Sequence, residues 1–172
     1  MKSSSVFTKT GQRILALFFD HPTAELFERE VREKVKASAG AVNASVDKLA
    51  RDRYLLMERS GRMKFCRLNR EDPRVKHMKI AHTLSKPVIR KLEQVKTPCT
   101  RVFLYGSAAR GEDDEGSDID VLVVGAATMA ALRKAVPDRT VKFSLFTARE
   151  WADMRRKDPA FYERVEKDRK EL

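Results

Sequence analysis

Residues 106–120 read Gly106-Ser107-Ala108-Ala109-Arg110-Gly111, then Glu112-Asp113-Asp114-Glu115, then Gly116-Ser117-Asp118-Ile119-Asp120. An apolar run, Arg101 to Tyr105, precedes this stretch and another, Val121 to Val124, follows it. Ten residues separate Ser107 from Asp118, so the pattern is G-S-x10-D-x-D set between two predicted strands. A glycine lets the backbone approach a phosphate closely. A serine at the start of the helix that follows adds a hydroxyl where free N–H groups and the helix dipole favour anions. Two aspartates two apart on a strand point to one face, where a carboxylate pair can hold Mg²⁺. Metals held in that way can align a nucleoside triphosphate for attack at its α-phosphate and balance the charge on the departing pyrophosphate. Taken separately, the Gly-Ser is an ordinary turn and the Asp-Ile-Asp a solvated strand end; the joint spacing is what carries the reading.

With those residues in place, residues 99–147 resemble the DNA polymerase beta nucleotidyltransferase superfamily, and in particular its minimal nucleotidyltransferases. The resemblance implies a mixed sheet with helices on one side, Gly106 and Ser107 as triphosphate ligands, and Asp118 and Asp120 as metal-holding, catalytic residues. Arg110, one turn past Ser107, is a further candidate phosphate ligand. Active members of the superfamily add a third carboxylate from a later strand. Here that strand is Thr140 to Thr147, which contains no acid and has Lys142 in the matching place. A lysine there would repel a metal, and could neutralise a bound phosphate or pair with Asp118 or Asp120. The acids of Glu112 to Glu115 are candidate substitutes, whereas Asp138 and Glu150 would need an awkward reach. Thr147 to Glu150 is also a T-x-x-E capping box opening a helix with Trp151, and Asp158 to Leu172 reads as one more amphipathic helix in which Phe161, Tyr162 and Val165 pack on the body.

Upstream, the composition changes. The chain of 172 residues has a net charge of +11. Met1 to Pro98 holds 22 Lys+Arg against 11 Asp+Glu, while Cys99 to Leu172 holds 14 of each. A basic half beside a neutral half suggests that one part meets a polyanion. Within the basic half, Ile14, Leu17 and Phe18 form the stripe of a first helix ended by His21-Pro22. Val31 and Val35 mark a short second helix over Glu28 to Lys36, with Ala24 to Phe27 before it as a short strand. Ser38 caps a third helix with Val42, Val46 and Leu49 inward. Leu55 to Arg59 and Arg62 to Leu68 then form a hairpin turning at Ser60-Gly61.

Three helices and a hairpin resemble the winged helix-turn-helix regulators over residues 9–70. That resemblance implies that the third helix enters the major groove of double-stranded DNA, offering Ala41, Asn43, Ser45, Lys48 and Arg51, while Arg59, Arg62 and Lys64 on the hairpin meet phosphates. It also implies a homodimer on a two-fold site.

Between the halves, Glu71 to Thr97 lacks glycine and places Pro73 and Pro87 to open two helices, near 74–85 and 87–96. His77 and His82 are five apart, which denies them joint metal ligation on a helix. The expected organisation is an α+β chain: winged helix-turn-helix over residues 1–70, helical connector over 71–98, nucleotidyltransferase-like domain over 99–172. Its 42% hydrophobic and 35% charged residues fit packed cores under a charged surface. No apolar run reaches the roughly 18 to 20 residues needed to span a bilayer, and the first ten residues lack a secretory core. The expectation is a cytoplasmic protein with no membrane partner. Cys66 and Cys99 belong to no C-x-x-C pair and read as buried free thiols.

The functional expectation is a DNA-binding, transcription-regulating chain whose nucleotidyltransferase fold binds a nucleotide with impaired transfer. Its alternative is a working Mg²⁺-dependent enzyme that moves a nucleoside monophosphate to a small molecule or a protein hydroxyl, as antitoxin-type minimal nucleotidyltransferases do to a partner toxin. A protein-interaction adaptor is the third possibility.

Overall fold

A computed structural model describes residues 8–60, 63–93 and 95–172. The chain divides into two units, Met1–Lys76 and His77–Leu172.

In the first unit, α1 (Lys9–Asp20) is capped by Thr8, whose hydroxyl accepts from the Gly11 N–H, and buries Ile14, Leu15 and Phe18. The strand β1 (Glu25–Phe27) leads directly into α2 (Glu28–Val35). The helix α3 (Ala39–Arg51) has Ser38 as its cap and buries Val42, Val46 and Leu49, as the i, i+4, i+7 stripe predicts. The strands β2 (Leu55–Ser60) and β3 (Met63–Leu68) pair antiparallel from Leu55↔Leu68 to Ser60↔Met63, and β1 adds to the free edge of β3 with Phe27 opposite Phe65. The unit is therefore three helices against a three-stranded antiparallel sheet of order β1-β3-β2. Cys66 is buried, its thiol donating to the Leu26 carbonyl, and burial pushes its pKa up to about 12. Cys99, by contrast, is exposed, which corrects the expectation of two buried thiols.

The two connector helices form as expected, α4 (Pro73–Leu84) and α5 (Pro87–Glu93). They are not a free-standing linker, however. Ile89 and Leu92 of α5 are fully buried in the core of the second unit. The apolar stripe of a seven-residue helix must find a partner surface, and a sheet with two apolar faces provides it.

That sheet has the order β6-β5-β4-β7, built from β4 (Thr100–Tyr105), β5 (Ile119–Gly125), β6 (Val141–Phe146) and the two-residue β7 (Lys170–Glu171). The pairs β4–β5 and β4–β7 run antiparallel, and β5–β6 runs parallel. Between β4 and β5 lies the short α6 (Gly106–Arg110), and α7 (Met129–Ala135) makes the crossover to β6. On one face Val102, Leu104, Val121 and Val123 pack with Ile89, Leu92 and Leu132. On the other, Phe103, Tyr105 and Leu122 pack with Trp151 of α8 (Ala148–Lys157) and Val165 of α9 (Pro159–Asp168). Helices on one side only were expected. The inner strands β4 and β5 are apolar at successive positions, so both of their faces require cover. Thr147 and Glu150 form the capping box of α8 that the sequence indicates. Among the described residues no helix is long and apolar enough to cross a membrane.

Candidate active site

The strand β4 ends at Tyr105, and the chain turns at Gly106 with φ +75° into α6. A side chain is excluded here twice over. The φ lies in the left-handed region, and a Cβ on Gly106 would run into the Asp120 carboxylate. Gly106→Ala is accordingly expected to destabilise the second unit by about 1–3 kcal/mol, read as a lower midpoint in urea; an unchanged midpoint would show that the turn relaxes freely. With only five residues, α6 carries little macrodipole. The loop N–H groups and the Ser107 hydroxyl are what this turn can offer an anion.

Asp120 sits in β5 opposite Tyr105, half-buried, and Asp118 is exposed one residue before the strand begins rather than within it. Burial, and then the neighbouring Asp118, raise the Asp120 pKa; Arg164, Arg110 and Lys142 oppose that rise. Its ionised form is thus less favourable than in water, a cost that a bound cation would relieve. The strand alternation also sets Asp120 on the same face of the sheet as Tyr105 and, across the parallel pair, Lys142 and Ser144.

Lys142 is the register partner of Asp120, and its Nζ lies 3.9 Å from Asp118 Oδ1. Two residues on, the Ser144 hydroxyl shares a 2.9 Å hydrogen bond with that of Tyr105. The acids that the sequence offered as substitutes are engaged elsewhere. Glu112 pairs with Arg110 at 2.8 Å, Asp113 pairs with Lys79, and Asp114 accepts from Ser117 Oγ at 2.8 Å and from the Gly116 N–H at 3.1 Å. Asp138 accepts from the N–H and the hydroxyl of Thr140, and Glu150 from those of Thr147. Among the described residues, no cluster of three His, Cys, Asp or Glu side chains is arranged to hold a metal ion.

Arg110 has two acidic partners. Its guanidinium donates to Glu112 Oε2 at 2.8 Å and to Asp168 Oδ2 at 2.5 Å, so two carboxylates already match its charge. The fold brings Asp168 there at the end of α9, fifty-eight positions away, a contact that no local pattern could show. Two other residues emerge only in the structure. Lys79 of α4 is 2% exposed; it donates to the Asp113 carbonyl at 2.8 Å and meets the Asp113 carboxylate. Arg164 of α9 acts on Asp120 from the covering helix. A sequence signal for Arg164 did exist, since Phe161-x-x-Arg164-Val165-x-x-Asp168 places all four residues on one helix face.

In the first unit, Asn43 and Arg51 on α3 and Arg59 on β2 are exposed, and Lys48 is half-buried. Ser45 is buried, with its Oγ 3.5 Å from that of Thr8, so it presents nothing to a groove. Lys64 lies among acids: its Nζ is 3.7 Å from Glu28 and 3.6 Å from Asp47, which ties β3 to α2 and α3. Arg62 falls outside the described residues.

The sheet sets a Gly-Ser turn at the end of β4 beside an Asp-x-Asp sequence that enters β5. Residues 88–168 match the family described as Nucleotidyltransferase domain. The structural comparison includes a protein from Sulfolobus solfataricus whose own assignment as a nucleotidyltransferase is provisional; it is 22% identical, covers 51% of this chain and 75% of its own, and superposes with a TM-score of 0.31. No curated protein matches the chain.

Proposed function

We propose that this protein is a DNA-binding regulator whose nucleotidyltransferase domain binds a nucleoside triphosphate with Mg²⁺ but transfers poorly. The observation that carries the impairment is Lys142, in register with Asp120 and 3.9 Å from Asp118. Two carboxylates together with substrate phosphates are a sufficient donor set for one Mg²⁺. They are a poor set for two metals, because the ammonium group stands where a further anionic ligand would be needed. In this reading Asp118 and Asp120 hold the single ion, which would supply charge neutralisation to the triphosphate, and Gly106 and Ser107 give the phosphates a close backbone approach. The test is incubation with α-labelled nucleoside triphosphates and Mn²⁺. Little label should leave the nucleotide for any acceptor; strong transfer abolished by Asp118→Asn would make the protein an active transferase instead.

For the first unit the proposal is a winged helix-turn-helix that reads duplex DNA, most simply as a two-fold dimer. It is supported by the order α1-β1-α2-α3-β2-β3, by the exposed Asn43 and Arg51 on α3 and Arg59 on β2, and by the positive balance of the first 98 residues. Lys64 drops out of the footprint because Glu28 and Asp47 hold it. Full-length protein is expected to shift duplex DNA in gels, with affinity falling steeply as salt rises. Arg51→Glu with Arg59→Glu should weaken binding by about tenfold or more. Binding that ignores salt, or is absent at low salt, would remove the DNA role.

A further inference from the structure

Helix α9 lies against the same sheet face as Asp120, anchored by an aromatic cluster. Phe161 meets Tyr105 edge-on at 6.1 Å and Trp151 edge-on at 6.1 Å, and Trp151 also stacks near Tyr162 at 5.0 Å. Tyr105 is the residue directly before Gly106. One turn along α9 from Phe161, the Arg164 guanidinium sits 5.6 Å from the Phe161 ring centre. It lines an open cleft of about 470 Å³ together with Arg110, Ala160, Glu163, Lys167 and Asp168.

The two arginines of this cleft differ in a way that decides their roles. Arg110 is saturated by Glu112 and Asp168. Arg164 has no hydrogen bond or ion pair among the described residues; its contact is the aromatic face. A guanidinium braced on a ring keeps its planar fork of donors pre-organised for phosphate oxygens. Phe161 in turn packs on Tyr105, the register partner of Asp120, so the guanidinium stands on the covering helix over the sheet face that carries Asp120, while Lys142 approaches Asp118 from the neighbouring strand.

The geometry points to Arg164 as a phosphate-binding residue of this site, so that a polyphosphate lying at Gly106 and Ser107 is held between a lysine from β6 and an arginine from α9. The inference rests on the nucleotide-binding reading of the same site and extends it to a helix which that reading did not include. The ligand class is the triphosphate moiety, since a forked donor recognises phosphate oxygens and not a base.

The test is calorimetric titration of full-length protein, with Mg²⁺, against two probes: a non-hydrolysable nucleoside triphosphate and inorganic tripolyphosphate, which has no base. Arg164→Gln is expected to weaken both by about tenfold or more. Arg164→Lys should recover part of the loss, and Arg149→Gln, an exposed charge on α8, should change neither. The thermal midpoint of Arg164→Gln should match that of the wild type, because the side chain is exposed and makes no ion pair. Equal affinity of wild type and Arg164→Gln for both probes overturns the role of Arg164 alone. Absence of wild-type binding to either probe overturns it together with the nucleotide reading, and so distinguishes the two failures.

Discussion

Replacing Lys142 by aspartate is expected to raise the affinity for Mn²⁺, in the presence of a triphosphate, by about tenfold or more. The substitution exchanges a positive charge for a negative one at the register position of Asp120, 3.9 Å from Asp118 as the wild-type side chain lies. A divalent ion between these carboxylates would then meet a third anionic ligand in place of a repelling ammonium group. The fold should tolerate the exchange. Side-chain exposures of 57% for Lys142 and 49% for Asp118 make theirs a solvated pair, of a kind that contributes about 0–1 kcal/mol. A change in metal binding can therefore be read without a collapse of the domain. Titration of the Mn²⁺ spin-resonance signal counts the ions bound: one per wild-type chain, a second in Lys142→Asp, and none in Asp118→Asn with Asp120→Asn. Two ions already bound by the wild type would show that Lys142 does not restrict the site.

Lys79→Met is expected to cost about 3 kcal/mol or more of stability, the largest single loss foreseen in the second unit. The lysine is 2% exposed; it donates to the carbonyl of Asp113 and pairs with its carboxylate, whose side chain is itself only 16% exposed. Methionine fills similar volume but leaves a carboxylate buried without its counter-charge, and that abandoned charge, more than the lost attraction, sets the size of the effect. Asp113→Asn in the same chain should return part of the loss, so a double-mutant cycle in urea separates the ion pair from simple packing. The functional consequence travels along the loop. Asp113 opens the segment that the Asp114–Ser117 hydrogen bonds fold back on itself immediately before Asp118. Without Lys79 the carboxylate that precedes β5 is held less firmly, and the thermal gain from Mg²⁺ with triphosphate should shrink even after correction for lower stability. A variant as stable as wild type would show that the buried lysine finds water or another partner at little cost.

Local patterns carried much of this structure. The apolar stripes of α1 and α3, the cap residue Ser38, the T-x-x-E box at Thr147 and the proline starts of α4 and α5 are short-range signals, and each produced its element within a few residues. The site was legible for the same reason. Gly106 and Ser107 follow one strand and Asp118 and Asp120 lie at the entrance to the next, although Asp118 stands one residue outside β5, where strand alternation does not fix its side. The place of Lys142 could be read too, because it occupies a fixed position in a short apolar strand.

What the sequence determined by itself, then, was most of the elements, though not α7 or β7, together with the Gly-Ser turn before the strand that Asp118 and Asp120 enter and the place of Lys142 in β6; all of these depend on neighbours within a turn of helix or a few residues of strand. Tertiary structure alone decided which charges remain available. Arg110 is matched by Asp168, Lys64 by Glu28 and Asp47, and Asp113 by a buried Lys79, while Arg164 stands over the Phe161 ring. An ion pair forms between groups that the fold brings within a few ångströms, across separations of up to fifty-eight positions in these cases. Periodicity reports which face of an element is buried and carries no record of which charge will stand opposite it.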